Sequence, residues 1–236
     1  MKTAIHQPNF LPWTGYFLKM ALSDVFVFHD NVQITKSGPT RRVKIAANHT
    51  ADQTQWLTVP LKKHSDFTLI RDLEISDATD WRKKHLNMIS TVYHKYPFFG
   101  QIYPQIKSWY QQSEIYTNLS DMNIFFIKNI ATELDLMPGF SKSSEIPVEG
   151  KGSEYNLNIV RYCNGTNYIS GKGGDNYQDE PMFSITNVEL SSYDFKGMCI
   201  EIFSFSDKNV NLSRSIIELM MFYGNQYIAQ KLQEKL

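Results

Sequence analysis

Residues 3–28 restrict the possible folds more than any other stretch of this chain. Thr3-Ala4-Ile5 opens a short apolar strand that breaks at Pro8 and again at Pro12. Over 15–22 the apolar residues Tyr16, Phe17, Met20 and Ala21 recur at helical spacing. Asp24 then leads into Val25-Phe26-Val27-Phe28, a run of β-branched and aromatic residues suited to a strand covered on both faces. Strand, turn, helix and buried strand make the βαβ unit of a parallel sheet, because parallel neighbours need a crossover that a hairpin cannot supply.

The remaining patterns extend this unit. Strands are expected at 43–47, 56–61 and 69–75, set apart from the opening by Lys36-Ser37-Gly38-Pro39. Asp80 reads as the N-cap of a helix whose stripe is Trp81, His85, Met88, Ile89, Val92, Tyr93 and Tyr96, with Pro97 as its stop. A second helix is expected from Pro104, turning Ile106, Trp109 and Tyr110 inward. A third runs from about Ser120 through Phe125, Phe126, Ile130 and Leu134 to Pro138-Gly139. Then come a short strand at 143–148, a helix capped by Ser153 and ending at Asn164-Gly165, and the strand Asn167-Tyr168-Ile169-Ser170. A strand at 200–205 and an amphipathic helix from Ser213 or Ser215 close the chain. The expected fold is α/β, a mostly parallel Rossmann-like sheet with helices on its faces. Residues 80–137 would form a helical insert or cap within one domain of residues 1–236, a length that can bury a core without disulfides.

Bulk properties narrow the partners. Formal net charge is +0, so the molecule as a whole does not attract polyanions and nucleic acid is not an expected partner. The two cysteines, Cys163 and Cys199, have no metal-site spacing and fit a reduced compartment. The stretch Met1-Lys2-Thr3-Ala4-Ile5-His6 lacks the apolar core of a signal peptide, and no run approaches 18 apolar residues. A cytoplasmic protein with no membrane span and a small-molecule substrate is expected. Aromatic content of 14% serves core or interface equally well, so the oligomeric state is not legible.

Four segments carry candidate chemistry. The first turn sets His6, Gln7 and Asn9 between stiffening prolines, where open α/β sheets bind ligands and a helix N-terminus offers free N–H groups. It reads equally as an ordinary polar turn with Trp13 in the core. Asp30-Asn31-Val32-Gln33 follows the buried strand. Asp30 there would orient His6, hold a metal or bind a ribose hydroxyl, or simply form a turn, while His29 is expected on a polar face. Ser170-Gly171-Lys172-Gly173-Gly174-Asp175-Asn176-Tyr177 is a loop whose glycines allow close backbone approach to a phosphate, with Lys172 supplying charge. It is neither a Walker A loop nor a dinucleotide fingerprint, and a glycine-rich hairpin is the plain alternative. Arg41-Arg42 with Lys44 is either an anion clamp or a solvated strand face. No zinc pattern or nucleophile elbow is present.

In this order, these segments resemble the WbqC-like family. Gln7-Pro8-Asn9-Phe10-Leu11-Pro12-Trp13-Thr14-Gly15-Tyr16 is similar to its opening Gln-Pro-x-Tyr/Phe-x-Pro-Trp-x-Gly-Tyr/Phe. Asp30-Asn31-Val32-Gln33, Trp56-Leu57-Thr58-Val59-Pro60, Tyr168 to Gly174 and Ser215-Ile216-Ile217-Glu218-Leu219 resemble later motifs, the last with Glu for Asp. The chain departs at the Trp-x-Asn-Arg segment, where Pro39 and Arg41 replace Trp and Asn while Arg42 is kept. The resemblance implies a bacterial protein of surface-polysaccharide (O-antigen) biosynthesis that moves a small acyl or aminoacyl group, such as glycine, onto a nucleotide-linked amino sugar. Under that reading His6 and Asp30 are the catalytic candidates. Gln7, Asn9, Trp13, Tyr16, Gln33, Arg42, Ser170, Gly171, Lys172, Gly173, Gly174 and Tyr177 are the substrate contacts, with a nucleotide or nucleotide-sugar as ligand and no metal. In layout the opening also looks like the nucleotidylyltransferases, although no second histidine stands at Gly15 or Tyr16. Nucleotidylyl transfer and a non-catalytic sugar-nucleotide-binding module are therefore the alternatives.

Overall fold

The structure is a computed structural model that describes residues 1–35, 38–48, 53–172, 178–203 and 211–234. In chain order its elements are β1 (Lys2–His6), α1 (Thr14–Ala21), β2 (Val25–Phe28), β3 (Arg42–Ala46), β4 (Thr54–Thr58), α2 (Trp81–Tyr93), α3 (Phe99–Gln112), α4 (Leu119–Glu133) and β5 (Gly139–Lys142). There follow α5 (Ser153–Tyr162), β6 (Asn167–Gly171), α6 (Glu180–Ile185), β7 (Glu189–Tyr193), α7 (Phe195–Phe203), α8 (Ile216–Tyr223) and α9 (Asn225–Gln233).

The opening unit folds as its pattern requires: β1 and β2 are adjacent and parallel, paired from Thr3↔Val25 to His6↔Phe28. The five-stranded sheet has the order β5-β2-β1-β6-β7, every pair parallel. From β1 the chain builds outward through β2 and β5. It then crosses back over α5 to β6 on the other side of β1 and continues to β7. The direction of winding therefore reverses between β1 and β6, and a crevice opens at the carboxyl ends of these two strands. This is the expected Rossmann-like α/β architecture, with a separate antiparallel ribbon of β3 and β4 running from Arg42↔Thr58 to Ala46↔Thr54.

Alternation along the strands sorts the two faces. Ala4, Phe26, Phe28 and Ile169 pack with Tyr16, Phe17, Cys199 and Leu232 of α1, α7 and α9. Ile5, Val27 and Tyr168 pack on the opposite face with Leu157, Ile159 and Phe183 of α5 and α6. Ile89, Ile106 and Phe126 of α2, α3 and α4 belong to the first of these clusters, so the helices over 80–137 share its core.

Several expected elements differ. The strand expected at 200–205 is helix as far as Phe203, and 204–205 lie outside the described residues. Ile200 and Ile202 mimic strand alternation, but Phe195, Cys199, Ile202 and Phe203 are buried at helical spacing, and that longer register wins. The expected strand at 69–75 is a 3-10 turn, Ile70–Asp72, flanked by isolated bridges. The short strand expected at 143–148 comes earlier as β5, and Ser143–Glu145 is a 3-10 turn. Pro104 lies inside α3 rather than at its start. The carbonyl a proline ring opposes is that of the residue four positions earlier, here Gly100, an exposed residue with open space around it. Gly152 rather than Ser153 is the N-cap of α5. Helix α6 and strand β7 have no counterpart among the expected elements.

One buried ion pair ties the periphery together. Arg214 and Glu218 are both fully buried, with Nη1 and Oε1 3.0 Å apart. Tyr93 of α2 donates to Glu218 at 2.9 Å and accepts from Ala46 N at 3.1 Å, while Arg214 Nη2 donates to Gln53 O. Helices α2 and α8 and the β3–β4 ribbon therefore meet at a single carboxylate.

Candidate functional site

A cleft of about 580 Å³ occupies the crevice at the carboxyl ends of β1 and β6. His6 and Gln7 enter it from β1, Ser170, Gly171 and Lys172 from β6, and Trp13 and Tyr16 from the turn into α1. Seven candidate residues from two segments some 150 positions apart thus share one wall. Gly173, Gly174 and Tyr177 lie outside the described residues.

Distant parts of the chain hold the first turn in place. Leu11 has φ 41°, an unfavourable value for a residue with a side chain and one found where surrounding structure enforces it. Ser215 Oγ donates to Leu11 O at 2.8 Å, and Ile216 N donates to Pro12 O at 2.9 Å. Asn123 of α4 donates to Pro8 O at 2.8 Å and to Thr40 O at 2.7 Å. The Trp13 indole folds back over the first turn of α1. A Cβ on Gly15 would lie 2.1 Å from its ring, so any larger residue there requires the indole to move.

His6 donates from Nδ1 to Gln7 O at 3.2 Å, since a carbonyl can only accept. Its Nε2 therefore carries the lone pair. The ring packs on Tyr16 at 4.6 Å between centroids, and the Tyr16 hydroxyl donates to the same carbonyl. Burial, reinforced by the Lys19 charge, lowers the His6 pKa to about 3, so the ring is neutral at pH 7.

Lys19 and His29 line the same cleft and were not among the expected site residues. Lys19 is only 6% exposed. Its Nζ donates to Ile5 O at 2.7 Å, and among the described residues no carboxylate is within ion-pair distance of it. Desolvation lowers its pKa to about 7. Its sequence signal was faint: three residues after Tyr16 and four after Gly15, it falls on the side of α1 that faces the strand ends. His29 was expected on a polar face. It instead begins a chain in which its Nδ1 meets Ser143 Oγ at 3.3 Å and Ser143 donates to Asp30 Oδ1 at 3.2 Å. Because Ser143 gives its hydrogen to Asp30, the hydrogen on the first link belongs to His29, and Nε2 again keeps a lone pair. Burial lowers the His29 pKa to about 4, against the opposing pull of Asp30.

Asp30 itself is buried and does not line the cleft. Its carboxylate also accepts from Ser144 N at 2.9 Å and Ser144 Oγ at 2.7 Å, so its described link to the cleft runs through Ser143 and His29. Gln33 is exposed, bridged to Leu69. Asn9 and Arg42 line a second cavity, of about 200 Å³, which shares Trp13 with the cleft. The Arg42 guanidinium lies 4.3 Å over the Trp56 ring, on the ribbon rather than at the strand ends. At the mouth of the cleft Lys172 pairs with Asp194 at 3.0 Å, and Asp194 also accepts from Gly197 N at the start of α7. Lys196 is a second cation there. Among the described residues no three His, Cys, Asp or Glu side chains gather as metal ligands, and no helix is long and apolar enough to cross a membrane.

With two neutral imidazoles, a lysine able to shed its proton near pH 7 and cations at the mouth, the cleft can accept a proton and hold an anion. Comparison with known proteins agrees with the motifs. The uncharacterized protein Rv1507c of Mycobacterium tuberculosis (strain ATCC 25618 / H37Rv) is 30% identical over 197 residues, 83% of each chain. No solved structure matches. The sequence pattern of the WbqC-like protein family matches residues 7–230, and this chain belongs to that family.

Proposed function

We propose that the chain is a cytoplasmic transferase of bacterial surface-polysaccharide (O-antigen) biosynthesis that moves a small acyl or aminoacyl group onto the amine of a nucleotide-linked amino sugar. Family membership supports the pathway by analogy, and the cleft supports the chemistry. One observation carries the reading. Lys19 is buried at a topological switch point, without a carboxylate among the described residues, in a cleft it shares with two neutral histidines. In this scheme Lys172 and Lys196 attract the diphosphate at the mouth. His6 Nε2 accepts a hydrogen bond from the sugar amine, and uncharged Lys19 takes the proton the amine releases as it attacks the activated acyl carbonyl. The donor's leaving group then departs. Lys19 suits this role better than His6, because a base works best with a pKa near the working pH. Asp30 and Ser143 become positioning residues for His29.

The test is a thermal-shift screen of UDP-, dTDP- and GDP-linked amino sugars. A ligand at about 100 Kd is expected to raise Tm by roughly 5–10 °C. Acylation of the hit is then assayed with acyl thioesters and acyl phosphates in wild type and Lys19→Met. No shift with any sugar nucleotide, or full activity in Lys19→Met, defeats the scheme. The second histidine at the cleft favours nucleotidylyl transfer as the other reading, since paired imidazoles suit a developing phosphate charge. Its signature is magnesium-dependent pyrophosphate release from a nucleoside triphosphate. Saturable binding without turnover would leave the non-catalytic module.

A further inference from the structure

Lys19 has more chemistry open to it than the uptake of a proton. Its side chain leaves α1, reaches the carboxyl end of β1 and lines the cleft, with Nζ on Ile5 O at 2.7 Å. Among the described residues no carboxylate lies within ion-pair distance of it, whereas Lys172 at the mouth is exposed and paired with Asp194. His6 and His29 both feel the Lys19 charge, so the two imidazoles stand near the amine. Each ring is neutral and keeps a lone pair on Nε2. Desolvation leaves part of the Lys19 population without its proton at pH 7. An uncharged lysine in a desolvated pocket is the form that attacks a carbonyl carbon. Lys172 and Lys196 at the mouth favour an anionic group on whatever enters.

We infer that Lys19 is also a nucleophile, and that the cleft takes up an aldehyde or ketone with an anionic tail as a reversible imine. The Nζ lone pair forms the bond to the carbonyl carbon, and the carbonyl π pair moves to oxygen. The amine's two hydrogens pass in turn to that oxygen, relayed by the imidazole Nε2 atoms. The oxygen leaves as water while the nitrogen pair closes the C=N bond. No oxidant or reductant is consumed, and hydrolysis runs the same steps backward. The anionic tail lies toward Lys172 and Lys196. The inference goes beyond the proposed acyl transfer and does not require it. It asks only that the amine be reachable from the cleft and uncharged for part of the time.

The full-length protein is incubated at pH 7 with glycolaldehyde phosphate, glyoxylate or propanal. Sodium cyanoborohydride then reduces any imine to a stable secondary amine, and peptide mass spectrometry locates the adducts. The expected result is saturable labelling of Lys19 by the two anionic aldehydes, at least tenfold above every other lysine and above its labelling by propanal. An ordinary lysine has only about 0.04% free amine at pH 7, so labelling elsewhere should rise only toward pH 10. A Lys172→Gln/Lys196→Gln double variant should reduce the preference for anionic aldehydes at least threefold. The inference is overturned if Lys19 is labelled no faster than the exposed lysines, if propanal labels it as fast as the anionic aldehydes, or if the double variant keeps the full preference. The map is read on the wild type, so the main result needs no variant to fold. Neither sugar nucleotide nor acyl donor is present. Absent labelling beside active acyl transfer therefore overturns the imine alone, and labelling beside absent transfer overturns the transfer alone.

Discussion

Arg214 and Glu218 are fully buried 3.0 Å apart, whereas Lys19, nearly as buried, faces no carboxylate among the described residues. In the first place each charge faces an opposite charge, Glu218 also accepts from Tyr93 and Asn211, and Arg214 also donates to the Gln53 carbonyl. Burial raises the Glu218 pKa, while the guanidinium pulls it back toward the ionised form. In the second place the described residues supply a backbone carbonyl and no counter-charge, and burial lowers the lysine to about 7. The paired charges fix three elements against one another. The lone one gains nothing for the fold, which makes it the better candidate for chemistry.

The largest expected effect falls on Lys19. Lys19→Met should lower acyl transfer by 10²–10⁴-fold, in the usual range for a lost general base. At pH 6 it should also stabilise the fold by roughly 1–3 kcal/mol, because the variant no longer buries a charge. Activity and chemical denaturation on the same preparation check both halves, and a variant both less active and less stable would break the contrast. Next is Glu218→Ala, which strands the guanidinium and should cost about 3–5 kcal/mol, seen as a fall in Tm of roughly 10 °C. An unchanged Tm would mean that the pair is not the anchor described above.

Ser143→Ala should reduce kcat about tenfold with KM nearly unchanged. It removes the link that orients His29 but touches no substrate. A fall confined to KM would assign Ser143 a different role. The smallest effect is a pH slope. The histidine pKa values are lowered in the fold, His6 to about 3 and His29 and His85 to about 4, so the unfolded chain takes up protons first as pH falls below about 6.5. Their contribution to stability is complete above that pH and is lost toward pH 4 and below. His29→Gln should flatten this acid limb by about 1 kcal/mol per pH unit between pH 6 and 4. Stability curves of equal slope would show that His29 is not held neutral by burial.

Local periodicity made much of the sheet legible. Two apolar runs around one short helix predicted β1, α1 and β2, and the loop after Ser170 was placed at a strand end. His6 meets Ser170 to Lys172 in the cleft because β6 pairs with β1, an adjacency that local periodicity does not show. What stayed hidden depends on distant contacts. Asn123 and Ser215 hold the first turn across 115 and 204 residues of sequence, a separation no local pattern records. Arg214 and Glu218 have the i,i+4 spacing of a surface pair, so spacing alone cannot reveal that both are buried. Asp30 was assigned to the reaction space because it follows β2 directly. The chain turns at that point, and His29 lines the cleft instead.

The indole at position 13 occupies the volume that any side chain at position 15 would need. These two positions therefore act as one steric lock. Even the methyl of Gly15→Ala would push the ring outward and alter both chambers together. A single methyl beside Tyr16 would then reshape the cleft and the smaller cavity at once, through the ring that borders both.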